Sequence, residues 1–204
     1  MLLYTIQPKE VIDIIQQEGA FRPEKDKLSN PEFLPAYDWL REKMEERIGE
    51  APDKERYPVW AWYSMDGEYR DILGEDWIKE DDYLLVLDIP DDRVVLTDFN
   101  AWHYVLNNWY YAPELKNKEY DKMTEKYKRF LYGPGITSSE DVRKTWEKIF
   151  LDKKPSGIYS EVHTFDENDN SIIEKNIVQA TFWEIRPEDV VKVIELKKDR
   201  EVER

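Results

Sequence analysis

Two histidines, no cysteine and forty-five carboxylates set the limits on what this chain can do chemically. Without cysteine there are no disulfides, thiolate nucleophiles, cysteine-type zinc sites or thiolate-held iron–sulfur clusters. His103 and His163 are the only imidazoles, so one chain cannot build a three-histidine metal centre, and no HxxxH or HxH spacing supports a two-histidine one. Ser64, in WYSMDG, lacks the glycines of a nucleophile elbow. Neither GxGxxG nor GxxxxGK occurs. Asp166, Asn168 and Asn170 fall at positions one, three and five of a calcium loop, but Ser171 replaces its glycine and Ile177 its closing glutamate. Apolar, β-rich flanks make that stretch a hairpin turn instead. No catalytic residue and no metal site is nominated.

Aromatic and amide residues carry the remaining chemistry. The chain has eight tryptophans and thirteen tyrosines, whose rings pack apolar surface while their polar tips favour binding sites. In YPVWAWYS a two-residue period sets Trp60 and Trp62 on one face and Val59, Ala61 and Tyr63 on the other. Such a strand is either central and packed on both sides, or offers a stacking wall to a flat ligand. In FNAWHYVLNNWYY, Phe99, Trp102, Leu106 and Trp109 mark an inward helix face, with Asn100, His103 and Asn107 as a polar edge beside it. That edge either reads a ligand or faces loops and water; His103 is the group suited to titrate near neutral pH. In NIVQATFWEI, Gln179 and Thr181 share a face with Ile177, Trp183 and Ile185. If buried, both need partners, from a ligand or from backbone carbonyls. Before TSSEDVRK, Glu140 and Asp141 would repel an anion, so Ser138 or Ser139 reads as a plain helix cap.

These residues must be positioned by short strands and helices in mixed order. LLYTI predicts a strand, and PKEVIDIIQQEG a helix that Gly19 stops. A second helix follows Asn30-Pro31, with Leu34, Tyr37, Leu40 or Arg41, Met44 and Ile48 along one side. YPVWAWYS, YLLVLDI and RVVLTD read as strands, the last two joined by a turn at Pro90-Asp91-Asp92. Asp98 caps the aromatic helix, a charged helix runs from about Pro113 to Leu131, and KTWEKIF follows a loop. GIYSEVHTF, NIVQATFWEI and VVKVIEL close the sheet, and residues 198–204 form a frayed, charged tail.

The 204 residues carry a formal charge of −15. That surface repels phosphate backbones and anionic lipid, excluding direct nucleic-acid or membrane binding, and suits docking on a basic protein partner. No repeat and no linker divides the chain, and its first residues lack the basic region of a secretion signal. The expectation is a soluble cytoplasmic protein with a single compact α+β domain, residues 1–204, in which a mixed or antiparallel central sheet is packed by helices.

The segments LLYTIQPKEVIDIIQQEGAFRP, YPVWAWY, LDIPDDRVVLTDFNAWHYVLNNWY and IVQATFWEI together resemble the uncharacterised bacterial family termed domain of unknown function 3841. LYTIQPKEVIDIIQQEG is also distantly similar to the start of ADP-ribosyltransferase-like folds. That resemblance aligns Thr5 with a histidine that contacts NAD, Gln7 with a threonine, and Gln179 with the catalytic carboxylate. It implies a nucleotide site without efficient transfer, since an amide cannot supply the carboxylate's charge. The resulting expectation is a nucleotide-like ligand of NAD or ADP-ribose type, with no tightly held cofactor, bound by Tyr4, Trp60, Trp62, His103, Asn107, Gln179 and Thr181. Arg22, Arg41 or Arg56 would answer its phosphates. The alternative is a non-catalytic acidic module, an inhibitor or nucleic-acid mimic, docking on a basic partner.

Overall fold

A computed structural model describes residues 1–24, 31–53, 56–63, 82–127, 140–155 and 159–196. Ser64, Ser138, Ser139 and the charged tail lie outside the described residues.

The alternating apolar residues of the opening segment form β1 (Leu2–Pro8), and α1 (Lys9–Glu18) follows at once. Gly19 ends α1 with φ +79°, a left-handed position at which glycine carries no Cβ penalty. After a 3-10 turn at Pro31–Phe33 come α2 (Leu34–Ile48), β2 (Val59–Tyr63) and β3 (Asp82–Asp88). A 3-10 turn at Asp91–Arg93 joins β3 to β4 (Val95–Asp98), and α3 (Phe99–Leu106) starts directly on it. α4 (Asn117–Tyr127), α5 (Glu140–Thr145) and a 3-10 turn at Trp146–Ile149 complete the helical part. β5 (Tyr159–Phe165) and β6 (Ser171–Phe182) form a hairpin, and β7 (Val190–Glu195) closes the described chain.

The seven strands make one sheet in the order β4-β6-β2-β1-β3-β7, with β5 paired to β6. Every pairing among them is antiparallel. The α+β class and the helix-packed antiparallel sheet expected from the sequence are present. On one face Leu3, Val59, Ala61, Leu85, Leu87, Leu96, Val178, Ala180 and Phe182 pack under Val11 and Ile15 of α1. On the other, Val95 and Trp60 pack under Trp39, Leu40 and Met44 of α2, Trp102 and Val105 of α3, and Trp146 and Ile149 behind α5. β2 is thus packed on both sides.

Several details differ from the sequence reading. α2 is buried through Ala36, Trp39, Leu40 and Met44, because Trp39 turns inward to lie 5.3 Å from Trp146 and 5.6 Å from Phe150. Leu34, Tyr37 and Arg41 are therefore only half-buried. α3 stops at Leu106, where Asn108 takes φ +57° and the Trp109 N–H returns to the Tyr104 carbonyl. That is a helix C-terminus closed by a left-handed asparagine. Its inward face is Ala101, Trp102 and Val105, and Trp109 lies outside it, 43% exposed. Beyond Phe182 the alternation breaks, so Ile185 packs with the α1-side core while Trp183 stays with the other.

Candidate functional site

Cross-strand register assembles the nominated residues. Tyr4 of β1 faces Trp62 of β2, Trp62 faces Gln179 of β6, and Gln179 faces Thr97 of β4. One row thus crosses four strands on the α2/α3 side of the sheet. In the next row Trp60 faces Thr181, which faces Val95. Partners in such rows stand close enough for their side chains to touch. Trp62 meets Phe99 of α3 edge-on at 5.2 Å, and Phe99 meets His103 at 4.7 Å. Trp60 lies 5.0 Å from Trp102 and 6.0 Å from Tyr37.

Two polar atoms in this aromatic setting have no partner among the described residues. Gln179 is 8% exposed and Thr97 is fully buried, yet Gln179 Oε1 and Thr97 Oγ1 make no hydrogen bond. Buried polar groups left unpaired are costly, on the order of 1–3 kcal/mol each, and rare. Thr181 differs: its hydroxyl approaches the Val95 carbonyl at 3.5 Å, a marginal bond.

Beside the row, the β1–β2 ladder is short. Among the described residues only Leu3–Tyr63 and Tyr4–Trp62 are paired, although β1 runs on to Pro8. Past that point Thr5 Oγ1 donates to the Trp60 carbonyl at 2.9 Å, and Gln7 Nε2 donates to Thr5 Oγ1 at 2.9 Å. Side chains substitute there for the missing strand–strand bonds.

Other nominated residues are occupied locally. His103 Nδ1 sits 2.9 Å from the Phe99 carbonyl, so the Nδ1–H tautomer donates to its own helix and leaves Nε2 as an acceptor. Asn107 donates to the His103 carbonyl at 2.8 Å and closes the end of α3. Among the described residues His103 therefore reaches the row through Phe99, and Asn107 is a helix cap. Arg22 pairs with Glu184, Arg41 with Glu45, and Arg56 with Glu24 and Asp53. Burial works against the Glu184 charge, but Arg186 and Arg22 outweigh it and hold its carboxyl below the usual glutamate range.

A separate cavity of about 290 Å³ opens where α3, the segment leading into α4 and the β5–β6 hairpin meet. Asn100, Tyr104, Tyr111, Tyr120, Phe165 and Glu174 are among its walls. Beneath it Asp98 is buried and fully used. Its Oδ1 accepts from the Ala101 N–H at 2.8 Å, and Oδ2 accepts from Ser160 Oγ at 2.7 Å and Asn176 Nδ2 at 2.9 Å. Asn100 Nδ2 in turn donates to Asn176 Oδ1 at 2.7 Å. Burial raises the Tyr111 phenol far above its ordinary pKa, with Asp98, Tyr104, Glu114 and Glu174 adding to the effect. Tyr120 is pushed up to about 12, again first by burial. None of the seven nominated residues lines this cavity. Asp98 and Asn100 were visible in the sequence as cap and polar edge; their partners Ser160 and Asn176, from a distant hairpin, carried no signal.

A family model described as Domain of unknown function (DUF3841) matches residues 2–191. The chain belongs to this family. No curated protein and no solved structure matches it. The DUF3841 match begins at β1 and ends within β7, so both the cross-sheet row and the cavity lie inside the family's extent. Among the described residues no helix of this DUF3841 protein is long and apolar enough to cross a membrane.

Proposed function

We propose that this protein binds a nucleotide-like small molecule of the NAD or ADP-ribose type, with little or no transfer chemistry. The ligand's flat base lies against Trp62, and its N–H groups are read by Gln179 Oε1 and Thr97 Oγ1. The observation that carries this reading is the pair of buried, unpartnered acceptors set beside tryptophans in one cross-strand row. An adenine amine or a nicotinamide carboxamide brings the donors they lack, and its ring adds a stacking contact to Trp62. On this reading the base enters where the β1–β2 ladder ends beside Tyr4 and Trp62, displacing the side-chain bridge from Thr5 to Trp60.

The resemblance of the opening segment to ADP-ribosyltransferase-like folds, read from the sequence alone, favours the same ligand class and would align Gln179 with the carboxylate. A neutral amide accepts a hydrogen bond but cannot offset a developing positive charge, which is why binding without efficient transfer is proposed. Arg22, Arg41 and Arg56 are each paired with carboxylates, so recognition rests on the base. Adenosine or nicotinamide should then bind within about tenfold of the whole dinucleotide, a difference of roughly 1.4 kcal/mol.

Thermal melts with NAD, ADP-ribose, adenosine and nicotinamide test the proposal. A ligand at 100 times its Kd adds about 2.7 kcal/mol, which in a chain of this size raises Tm by roughly 5–11 °C. A shift lost in Gln179→Met sustains the site. A flat panel overturns it.

A further inference from the structure

The cavity above Asp98 has a chemistry of its own, independent of the cross-sheet row. Tyr104 and Tyr111 form adjoining walls, with ring centroids 4.9 Å apart and planes inclined at 50°. Phe165, at the end of β5 in the hairpin, also lines it. Tyr111 is 7% exposed, and among the described residues nothing bonds its phenol oxygen. Glu174 is exposed on the cavity's rim and forms no ion pair among the described residues.

Carboxylates gather around the cavity, with Lys116 as a cation at its rim. Glu174 lines it, and Asp98 and Glu114 are near enough to act on Tyr111, although Glu114 is already paired with Lys148. These are the carboxylates whose field helps keep the Tyr111 phenol protonated. A phosphate or carboxylate ligand would meet the same repulsion, while a cation is drawn in. Aromatic faces attract cations through their quadrupole, most strongly where water is excluded. The protein already samples this contact: Lys116 Nζ stands 5.8 Å from the centre of the Phe165 ring. A volume of about 290 Å³ sits at the lower end for ligand sites and suits a molecule of a few heavy atoms.

We propose that this cavity is a second binding site, one that takes a small organic ammonium ion between Tyr104, Tyr111 and Phe165, with Glu174 as its counter-charge. The cation's alkyl or methyl groups lie on the ring faces, and any N–H group it carries donates to the Tyr111 phenol oxygen. Lys116 acts as a tethered competitor at the rim.

The test uses the full chain and three probes, choline, tetramethylammonium and 1,4-diaminobutane, titrated by calorimetry and by NMR of the tyrosine rings. The uncharged carbon isostere of choline, 3,3-dimethylbutan-1-ol, serves as control. At least one cation should bind with a Kd of about 1 mM or tighter and shift the Tyr104 and Tyr111 resonances, and the isostere should bind at least about tenfold more weakly. Glu174→Gln, an exposed and nearly isosteric change, should weaken binding about fivefold, and Lys116→Met should tighten it about twofold. Gln179→Met, in the cross-sheet row, should leave cation binding unchanged, which separates this site from the nucleotide reading. Absence of binding by all three cations at about 20 mM overturns the proposal. So does equal binding of the isostere, or a response of the cation affinity to Gln179→Met alone.

Discussion

Gln179 places an unpartnered amide oxygen inside the protein, and that has a measurable cost. Replacing it with methionine, similar in length and without the carbonyl, should stabilise the unliganded chain by about 1 kcal/mol and raise Tm by roughly 2–4 °C. The same change should abolish any shift by nucleotides. A loss of stability in Gln179→Met would mean that the amide is satisfied in the free protein, and the site would lose its motive. Phenols wholly or partly removed from water shape the behaviour in alkali. Tyr37, Tyr110, Tyr111 and Tyr120 are all held above the ordinary tyrosine value, in each case first by burial. In the unfolded chain they release their protons near pH 10, whereas folded Tyr120 keeps its proton to about 12. The folded state therefore binds more protons across that window, and stability must fall as pH rises through it. Urea melts at pH 9, 10 and 11 should show the decline, with native tyrosine ionisation, followed by ultraviolet absorbance, lagging behind that of the unfolded chain. Coincident titrations of the two states would contradict the withdrawal of these phenols from water. At this scale the sequence was informative about type and poor about partner. Gln179 and Thr181 were visible as polar positions on an apolar face, but the backbone contact of Thr181 and the missing partner of Gln179 depend on where β4 lies.

Among the elements, the connection from β6 to β7 is fixed by charge. Arg93, from the turn before β4, donates to both oxygens of Asp189, at 2.8 and 3.0 Å, and Asp189 also accepts from the Arg186 N–H at 2.8 Å. Asp189 is buried, whereas Arg93 is partly exposed. Arg93→Ala would leave that carboxylate with a backbone donor alone. Discounted for the exposure of the guanidinium, the expected loss is about 2 kcal/mol, read from urea melts. A loss under about 0.5 kcal/mol would show the pair to be dispensable. Element types were legible wherever periodicity was strong: the strand–helix opening, the three middle strands, and the hairpin turn in which Asp166 accepts from the N–H groups of Asn168 and Asn170. Element ends were harder. The aromatic repeat continues past Leu106 and suggests more helix, but Asn108 turns left-handed and expels Trp109 from the inward face. The face of α2 was misplaced for a different reason, because Trp39 is called inward by Trp146 and Phe150, more than a hundred residues away.

For the whole molecule, a formal charge of −15 on 204 residues means net self-repulsion in the folded state. Ion pairs such as Lys43 with Glu147 and Arg143 with Glu42 offset it only locally, since exposed pairs contribute little. Raising the salt concentration from about 10 to 200 mM shortens the screening length from roughly 30 Å to below 10 Å and should raise Tm by a few degrees. A fall in Tm over that range would show that the specific pairs outweigh the general field. The order of strands has a mechanical consequence. β1 and β7 both lie antiparallel to β3, one on each side, so they run parallel to each other. Leu2 stands at the Asp88 end of β3 and Glu195 at the Tyr83 end. Tension applied between these two points pulls β1 and β7 in opposite directions along their lengths. It loads the seven paired positions of β1–β3 and the five of β3–β7 together, in shear. Drawn at Leu2 and Glu195, as an optical trap with handles there would draw it, the sheet must slide and break many bonds at once, where a hairpin pulled apart sideways would unzip one bond at a time.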